Sequence, residues 1–364
     1  MKKIVFICDL LSQPRIIKRI YSIQQSGIEV KVYGYRRNKY NCNTFPFSIP
    51  VYTLGEMEDS KGYAKKLWQT HKDIANVIKE NGTKDTIYYA FGFIPALFLY
   101  LKKAAYYYEI SDLLYGYKKF SSLKNYFIFF EKRIIKHSLT TIMTSMGFKE
   151  YLLGTNDESN IIVLPNKLNE HFQIINRNVT SFNIGKRLVF SYVGAIRYKK
   201  TVLRFAQIIG EKFPKYEFHF YGESSMAPLC KELAEKYKNV KYFGAFKNPE
   251  DLENIYKNID ILVACYETEN LNERIAEPNK LYEALFFCKP IIVSENTYLS
   301  QQVEKHQCGF AINAYKDQEI ITLINSFTDD KLNYISQQEL NIPTSNLINN
   351  QNDLNLIIKK STQD

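Results

Sequence analysis

Two kinds of sequence pattern alternate along nearly the whole chain, and this alternation limits the fold more than any other feature. Short apolar runs rich in β-branched and aromatic residues, such as 3–8 and 187–193, have the length and composition of buried strands. Between such runs lie segments with apolar residues at helical spacing, such as 14–26, which ends at Gly27. Strands and helices that alternate in this way form an open, mostly parallel sheet covered on both faces. The sequence therefore predicts an α/β fold made of Rossmann-like units.

The alternation is interrupted once, and the interruption divides the chain. Because 364 residues exceed what one hydrophobic core usually organises, two domains are expected. We predict an N-terminal Rossmann-like domain over 1–170, a polar, asparagine-rich linker over 171–186 and a C-terminal Rossmann-like domain over 187–342. The remaining residues, 343–364, have apolar side chains at helical spacing and predict a C-terminal helix.

Charge and cysteine content narrow the class of protein. The formal net charge of +10 suits nucleic acid, an anionic membrane surface or phosphate-bearing substrates, although an AT-rich genome would also produce a lysine-rich chain. The six cysteines are scattered without any Cys-x-x-Cys pair, which indicates reduced thiols in a cytoplasmic protein.

The N-terminal apolar run resembles a signal peptide but contains Asp9, so it is better interpreted as a first strand. No apolar segment is long enough to span a membrane.

The stretch from 259 to 294 carries the clearest chemical signal. It begins and ends with apolar runs that predict strands, and Pro278 between them suits the first helical position, where its missing N–H is not needed. Lys280 lies three residues and Asn279 four residues before Glu283, so all three are on the first turns of that helix, where free N–H groups favour an anion. This set suits a nucleotide diphosphate, with Lys280 on the phosphates and Glu283 on the ribose hydroxyls. A solvated ion pair on an ordinary helix would leave the same pattern.

The segment PNKLYEALFFCKPIIVS resembles the donor-binding signature of retaining GT-B glycosyltransferases, in particular the large bacterial family that builds capsule, O-antigen and other surface glycans. The resemblance implies that Glu283 binds the donor ribose and that Lys280 lies near the phosphates. Many members have a second glutamate eight residues earlier; Ile275 stands there in this chain, with Glu273 and Glu277 close by. The resemblance implies a GT-B fold, in which two Rossmann-like domains with parallel sheets face each other across a cleft. In this family the C-terminal tail often packs back on the N-terminal domain.

A second stretch, SYVGAIRYKK, places Gly194 directly after a strand, where a bare backbone lets a ligand approach closely. In the family that the chain resembles, an arginine follows this glycine and a lysine stands six residues after it, both on the donor diphosphate. Ala195 replaces the arginine here, so we predict Arg197 and Lys200 as the phosphate clamp that stabilises the leaving diphosphate. A solvated basic turn is the alternative interpretation.

Two further glycines, Gly222 and Gly244, end the next two predicted strands in the same way, and a base or ribose could lie against their backbones. We therefore predict three catalytic residues, Arg197, Lys200 and Glu283. The predicted donor-binding residues are Gly194, Gly222, Gly244, Asn279, Lys280 and Glu283.

The first domain is predicted to hold the acceptor. The segment YYYEISDLLYGY ends a strand with Glu109, Asp112 and several tyrosines, a composition that suits sugar binding through ring stacking and hydrogen bonds. The two acids are candidates for orienting the acceptor or accepting its proton. Asp9 and the pair Pro14-Arg15 are further candidates near the end of the first strand. The alternative is that Asp112 caps a helix beside a buried tyrosine cluster.

Residues 118–136, KKFSSLKNYFIFFEKRIIK, mix lysines with Phe127, Phe129, Phe130 and Ile134. The pattern fits a helix on a membrane surface, which would suit a lipid-linked acceptor. The simpler interpretation is that the aromatic side chains pack on the sheet and the lysines are solvated.

Together, the residues and the resemblance predict a cytoplasmic, retaining glycosyltransferase that moves a sugar from a nucleotide-sugar donor, expected to be UDP-linked, to a lipid-linked or other glycan acceptor. Retention and front-side attack are implied by the resemblance alone. Neither a metal ion nor another cofactor is expected, because Lys and Arg take the place of a divalent cation and the chain lacks Asp-x-Asp. Peripheral attachment to the inner face of the cytoplasmic membrane is expected, and a nucleic acid partner is not.

Two other classes of protein stay open. Another nucleotide-sugar enzyme on the same scaffold, such as an epimerase, would need additional catalytic acids and histidines, which the sequence does not show. A non-catalytic protein that binds carbohydrate or nucleic acid would have a contiguous basic face and salt-sensitive binding. Donor sugar, base, acceptor and linkage depend on a few side chains that the sequence does not identify.

Overall fold

The computed structural model describes residues 2–36, 45–46, 48–56, 63–117, 122–156, 159–179 and 181–363. It divides into two compact units: unit 1 comprises Met1–Pro165 and Asn350–Asp364, and unit 2 comprises Asn166–Asn349. Each unit is built on one parallel sheet with helices between the strands. This confirms the predicted α/β class with two Rossmann-like domains.

Unit 1 alternates strands and helices from its first strand onward. Its elements in chain order are β1 (Lys3–Cys8), α1 (Pro14–Gln25), β2 (Val30–Arg36), β3 (Val51–Glu56), α2 (Tyr63–Asn81), β4 (Thr86–Phe91), α3 (Phe93–Leu101), β5 (Tyr106–Ile110), α4 (Lys124–His137), β6 (Thr140–Met143), α5 (Met146–Leu153) and β7 (Ile161–Val163). The strands lie in the order β3-β2-β1-β4-β5-β6-β7. Because β1 pairs with both β2 and β4, the strand order reverses between β1 and β4, which opens a crevice at their carboxyl ends.

Unit 2 repeats this design. Its elements are β8 (Val189–Val193), α6 (Arg204–Lys212), β9 (Glu217–Tyr221), α7 (Ala227–Lys236), β10 (Val240–Gly244), α8 (Leu252–Lys257), β11 (Ile261–Ala264), α9 (Leu271–Ile275), α10 (Asn279–Phe287), β12 (Ile291–Ser294), α11 (Tyr298–His306), β13 (Gly309–Ile312), α12 (Asp317–Asn325), α13 (Asp329–Asn341) and α14 (Thr344–Leu347). The strand order is β10-β9-β8-β11-β12-β13, so the reversal falls between β8 and β11.

The central strands are buried on both faces, as parallel sheets require. Every residue of β4, β5, β8 and β11 is buried. Helix α1 covers unit 1 with Ile16, Ile20 and Ile23, which recur every three or four residues on one face of the helix. The apolar runs seen in the sequence therefore form the sheets, and the helical patterns cover them.

The segment predicted as a linker, 171–186, is part of unit 2. Phe172 is buried and packs edge-to-face on Phe286 and Phe287. The Arg177 guanidinium donates hydrogen bonds to main-chain carbonyls at the ends of α10 and α13, including that of Leu285 at 2.7 Å. The asparagine-rich composition suggested a linker. Composition does not reveal the partners of Arg177, which lie more than a hundred residues away in the sequence.

The C-terminal segment divides at residue 350 and not at 343. Leu347 and Ile348 are buried in the core of unit 2. Helix α15 (Asn352–Gln363) belongs to unit 1, where Leu354 and Ile358 join the core beside α1. The Lys2 N–H also donates to the carbonyl of Thr362 at 2.9 Å.

In the described part of the chain, no helix is both long and apolar enough to span a membrane. The five described cysteines are buried and unpaired with one another, and Cys42 lies outside the described residues.

Glu131, on the inner face of α4, gives unit 1 a pH dependence. The Tyr108 hydroxyl donates to this fully buried carboxyl group, and burial raises the pKa of Glu131 from 4.5 to about 8. Between about pH 5 and pH 8 the folded chain therefore keeps a proton that the unfolded chain releases. The free energy of unfolding should fall as the pH rises through this window, by up to about 1.4 kcal/mol per pH unit.

Glu131→Gln keeps the shape of the side chain and removes its titration. We expect the variant to lose this downward slope, measured by chemical denaturation at several pH values from 5 to 8. An unchanged slope in the variant would show that another group is responsible.

Candidate functional site

Three glycines, which we call the glycine edge, end the first three strands of unit 2: Gly194, Gly222 and Gly244. All three have positive φ, at 131°, 139° and 76°. The Gly194 N–H donates to the carbonyl of Tyr221 at 2.8 Å, and the Gly222 N–H donates to that of Gly244 at 2.7 Å. A Cβ atom on Gly222 would lie 1.9 Å from the Gly194 carbonyl oxygen, so a larger residue would clash. The glycine edge is therefore a strip of bare main chain at the carboxyl ends of the strands.

Lys280, in the first turn of α10, lies against this edge. A Cβ atom built on Gly194 would be 3.2 Å from Lys280 Cε and 3.6 Å from Nζ. The Nζ atom pairs with Glu283 Oε2 at 2.7 Å, and Asn279 Nδ2 donates to Glu283 Oε1, also at 2.7 Å. Lys280 and Glu283 are both buried. The structure thus joins a buried Lys280–Glu283 pair to the half-buried Asn279, which differs from a solvated pair on the helix surface.

Tyr256 on α8 completes this network. Its hydroxyl donates to Glu283 Oε2 at 2.6 Å, and its side chain is fully buried. A buried ion pair is favourable only when hydrogen bonds satisfy its remaining polar atoms. The sequence analysis missed Tyr256 because α8 was not predicted. The sequence signal that could have revealed α8 was an apolar pattern around a tyrosine just before β11.

The two residues of the predicted phosphate clamp have different surroundings. Lys200 is exposed; its Nζ pairs with Glu269, and its main-chain N–H donates to Glu267 Oε1 at 2.7 Å. Arg197 is exposed too, but among the described residues no carboxylate is hydrogen-bonded to it. Its charge influences Tyr192, the penultimate residue of β8, and Glu273. Arg197 therefore keeps a guanidinium available near the glycine edge, whereas Lys200 is held by acids of the loop after β11.

Ile275 stands where many members of the family that the chain resembles have a second glutamate. The two acids near it, Glu273 and Glu277, have different partners. Glu277 accepts a hydrogen bond from the Tyr282 hydroxyl, and Lys167 lies 5.6 Å above the Tyr282 ring. Glu273 has a buried Oε2 atom without a hydrogen-bond partner in the described residues. Burial raises the pKa of Glu273, and the positive charge of Arg197 partly opposes this rise. Of the two acids, Glu273 is the one close to Arg197.

Unit 1 has a cavity of about 280 Å³ at the carboxyl ends of β1, β4 and β5. Its lining includes Asp9, Gln13, Arg15, Gly92, Ser111, Asp112 and Tyr117. The structure thus brings Asp9, Asp112 and Arg15, three of the predicted acceptor residues, to one place. Because the strand order of unit 1 reverses between β1 and β4, this cavity occupies the position where α/β sheets usually bind ligands.

Polar and aromatic groups are combined in this cavity. Arg15 Nη2 donates to Ser111 Oγ at 2.7 Å. A Cβ atom on Gly92, whose φ is 90°, would lie 2.8 Å from Asp9 Oδ2, so glycine leaves room for this carboxylate. Carboxylates, a guanidinium and aromatic surface suit a ligand that carries several hydroxyl groups. The sequence analysis missed Gly92 and Ser111, although Gly92 follows a strand just as the glycines of unit 2 do.

Glu109 lies behind the cavity and not in its lining. The carboxylate is fully buried and accepts hydrogen bonds from Arg19 Nε at 3.0 Å and from the Tyr89 hydroxyl at 2.5 Å. Arg15 Nε is 3.6 Å from its other oxygen. Glu109 was a candidate for orienting the acceptor or accepting its proton, but its carboxylate is a buried counter-ion of Arg19 that also stands beside Arg15.

Candidate metal ligands do not come together in the described part of the chain, where no three His, Cys, Asp or Glu side chains are grouped as a metal site. The positive charges described above are those of Lys280 and Arg197 near the glycine edge of unit 2 and that of Arg15 in the cavity of unit 1.

Comparisons with known proteins agree with this arrangement. Residues 175–342, nearly all of unit 2, match the model of the family described as glycosyl transferases group 1. A search of curated proteins gives no match.

Solved structures of low sequence identity share the architecture. HepE from Anabaena, in complex with UDP and glucose, matches with a TM-score of 0.66 at 12% identity, covering 100% of each chain. Sucrose-phosphate synthase from Thermosynechococcus elongatus matches with a TM-score of 0.71 at 12% identity, covering 100% of this chain and 98% of that chain. A UDP-N-acetylglucosamine 2-epimerase matches with a TM-score of 0.60 at 15% identity, covering 93% and 91%. These matches confirm the predicted GT-B fold.

Tyr256→Phe removes one hydrogen-bond donor from the buried Glu283 and keeps the ring. We expect the free energy of unfolding to fall by about 1.5–3 kcal/mol, the usual contribution of a hydrogen bond to a charged group. Urea denaturation measures the change. The matched control is Tyr242→Phe, because the Tyr242 hydroxyl donates to Glu223 at 2.8 Å in an exposed pair and its loss should change stability by about 0.5 kcal/mol or less. Equal losses in the two variants would contradict the role given to Tyr256.

Proposed function

We propose that this chain, in which residues 175–342 match the model of the family described as glycosyl transferases group 1, transfers a sugar from a nucleotide-sugar donor bound by unit 2 to a glycan acceptor bound by unit 1. The observation that carries the proposal is the position of Lys280: a buried carboxylate holds its ammonium group beside bare main chain at the point where the strand order reverses. Backbone at such a point, next to a fixed cation, is suited to a diphosphate. HepE binds UDP and, in another structure, UDP-glucose, which supports a UDP-linked donor here.

The donor diphosphate would lie against the glycine edge. Lys280 Nζ would bind one phosphate, and Arg197 would bind the other from the loop after β8. Lys200 could join them only by leaving Glu269, so we assign the clamp to Lys280 and Arg197. The ribose hydroxyls would donate to Glu283 Oε1 in place of the Asn279 amide. The position of Lys280 beside Gly194 supports this arrangement.

The proposed reaction is a transfer with retention. The acceptor hydroxyl oxygen bonds to the anomeric carbon, the bond from that carbon to the diphosphate breaks, and the diphosphate leaves with the electron pair and accepts the hydroxyl proton. Negative charge grows on the leaving diphosphate, and two positioned cations stabilise it in the transition state. On this basis we propose that the reaction is independent of a metal ion.

The cavity of unit 1 is the proposed acceptor site. With about 280 Å³ it is close to the lower end of the range for small-molecule sites, about 300–1,000 Å³, which suits one sugar residue of a longer glycan. Asp9 and Asp112 would accept hydrogen bonds from its hydroxyls, and Arg15 would donate to ring or hydroxyl oxygens. From the resemblance of residues 278–294 we further propose that the acceptor is a lipid-linked intermediate of capsule, O-antigen or a similar surface glycan. The enzyme would then work at the inner face of the cytoplasmic membrane.

One second candidate is favoured by a specific observation. A UDP-N-acetylglucosamine 2-epimerase shares the fold, and that reaction also starts from a nucleotide sugar. An epimerase would convert the nucleotide sugar into its epimer without any acceptor, whereas a transferase releases the nucleoside diphosphate only as the sugar is transferred or hydrolysed. The family match over unit 2 favours the transferase.

The donor site is tested by thermal stability in the presence of a panel of nucleoside diphosphates and nucleotide sugars. A nucleotide at a hundred times its dissociation constant should add about 2.7 kcal/mol to the free energy of unfolding, which raises the melting temperature of the wild type. Lys280→Met should abolish the shift because it removes the ammonium and keeps the length of the side chain.

The control for this test is Lys257→Met, which removes an exposed lysine of unit 2 that pairs with Glu253 and should leave the shift unchanged. If Lys280→Met does not fold, Gly194→Ala provides the same test, since its Cβ atom would crowd Lys280. A Lys280→Met variant that still responds to the nucleotide would place the donor elsewhere.

The acceptor site is tested by Asp9→Asn. We expect transfer of labelled sugar to lipids of the native membrane to fall by about 10–100-fold, because the substitution weakens a hydrogen bond from an acceptor hydroxyl to a charged group, which contributes about 1.5–3 kcal/mol. The nucleotide-induced shift in melting temperature should stay unchanged, and Asp353→Asn on the exposed side of α15 serves as control. Full transfer by Asp9→Asn would remove the cavity of unit 1 from the mechanism.

A further inference from the structure

The outer side of α4 exposes a row of large apolar side chains. Leu123, just before the helix, is 50% exposed, and Tyr126, Phe129 and Phe130 are 70%, 52% and 38% exposed. We call these four residues the α4 face. They recur at three- or four-residue intervals, so they form one stripe along the helix. An apolar stripe that points to solvent indicates an interaction surface.

The inner side of the same helix is already buried against unit 1. Glu131, Ile134 and Ile135 are buried, and the Phe127 ring contacts those of Phe93 and Tyr115, with centroids 5.4 and 5.8 Å away. The α4 face is therefore a second apolar surface on a helix whose first surface is in use. This outcome differs from the simpler interpretation of the sequence, in which all these aromatic side chains pack on the sheet. Residues 118–121 of that stretch lie outside the described residues.

Two neighbouring helices add exposed apolar side chains on this side of unit 1. Rings connect α2 to α3 and α3 to α4: His71 contacts Phe98, with centroids 5.0 Å apart, and Tyr100 contacts His137 at 5.1 Å. Trp68 on α2 and Leu101 at the end of α3 are each more than half exposed. The α4 face thus belongs to a layer of three adjacent helices with apolar side chains at its surface.

The charges of α3, α4 and the turn after α3 have one sign where they face solvent. The exposed cations after α3 and on α4 are Lys102, Lys103, Lys132, Arg133 and Lys136. The guanidinium carbon of Arg133 lies 4.3 Å from the centroid of the Phe129 ring. Glu131 is the one acid within α3 and α4, and it is fully buried. A surface of aromatic and aliphatic side chains with lysine and arginine, and without an exposed acid in these two helices, complements an anionic surface.

We infer that the α4 face docks on a membrane leaflet that contains anionic lipid. Aromatic side chains insert at the boundary between headgroups and acyl chains, and the lysines and arginine bind the headgroup phosphates. With 14 residues, α4 is about 21 Å long, so the stripe can lie flat on the leaflet over its whole length.

This inference rests on the proposed function and specifies its acceptor side. Helix α4 follows β5, so its first residues lie near the carboxyl edge of the sheet, where Ser111, Asp112 and Tyr117 line the cavity. A chain docked through α4 keeps this cavity close to the leaflet surface. A glycan carried by a membrane lipid would then meet Asp9 and Arg15 without leaving the bilayer.

Vesicle co-sedimentation of the full chain tests the docking. We expect the wild type to bind vesicles of phosphatidylglycerol and phosphatidylcholine, and to bind vesicles of phosphatidylcholine alone at least tenfold more weakly. Binding should weaken between 0.1 M and 1 M salt, because the Debye length falls from about 10 Å to about 3 Å.

Two variants separate the contributions. The triple substitution Tyr126→Ser, Phe129→Ser, Phe130→Ser should lower binding to the anionic vesicles by at least tenfold, and so should Lys132→Glu, Arg133→Glu, Lys136→Glu. The matched control is Leu356→Ser with Ile357→Ser, which removes exposed apolar side chains from α15 of the same unit and should bind like the wild type.

The nucleotide-induced shift in melting temperature is measured on every variant. A retained shift shows that the triple variant is folded and that the donor site is intact, so the failure of docking and the failure of the proposed function are told apart. Wild-type chain that does not bind anionic vesicles, or a triple variant that binds them as well as the wild type, would overturn the inference. So would self-association of the wild type that the triple substitution abolishes, because a second copy would then cover the α4 face.

Discussion

The buried ion pair between Lys280 and Glu283 is the interaction on which the candidate donor site depends. Moving an ammonium and a carboxylate out of water costs several kcal/mol for each ion, and their attraction offsets this only when the remaining lone pairs are also satisfied. Tyr256 and Asn279 supply those hydrogen bonds. The network fixes the ammonium beside Gly194 before any ligand arrives, so a diphosphate would meet a cation that is already positioned. Loss of one partner would leave a buried charge, which typically destabilises a protein by about 3–5 kcal/mol.

Unit 1 uses the same physical device at its own strand reversal. Glu109 is fully buried between Arg19 and Tyr89 and stands close to Arg15, which reaches the cavity. In both units a buried carboxylate sets the position of a cation near the carboxyl ends of the central strands. The difference lies in what surrounds the cation. Bare main chain at Gly194 lies beside Lys280 and suits phosphate, whereas Asp9 and other polar and aromatic side chains line the cavity with Arg15 and suit hydroxyl groups.

Periodicity and glycine placement predicted the larger part of this fold. The strand runs were recognisable because central parallel strands are buried on both faces, so their sequences are continuously apolar. Gly194, Gly222 and Gly244 were singled out because each follows such a run, and the structure places them side by side. Asn279, Lys280 and Glu283 share the first turns of α10 because their spacing is a local property of a helix.

Features that depend on partners distant in sequence were not predictable. Tyr256 reaches Glu283 from another helix, and Arg177 binds carbonyls of α10 and α13 from a segment that composition marked as a linker. Burial also decides the role of single residues. Glu109 was a candidate for orienting the acceptor, but its buried carboxylate is paired with Arg19. Local pattern identifies which residues carry charge, and tertiary packing decides which of those charges reach a ligand.

A crystal structure of the chain with UDP bound would test the central claim most directly, because it locates the diphosphate. The account predicts phosphate oxygens within hydrogen-bond distance of Lys280 Nζ and against the glycine edge, with the Lys280–Glu283 network in place or exchanged for ribose contacts to Glu283. A diphosphate bound at another part of unit 2, with Lys280 still covered by protein, would contradict the account and reduce the buried pair to a structural element.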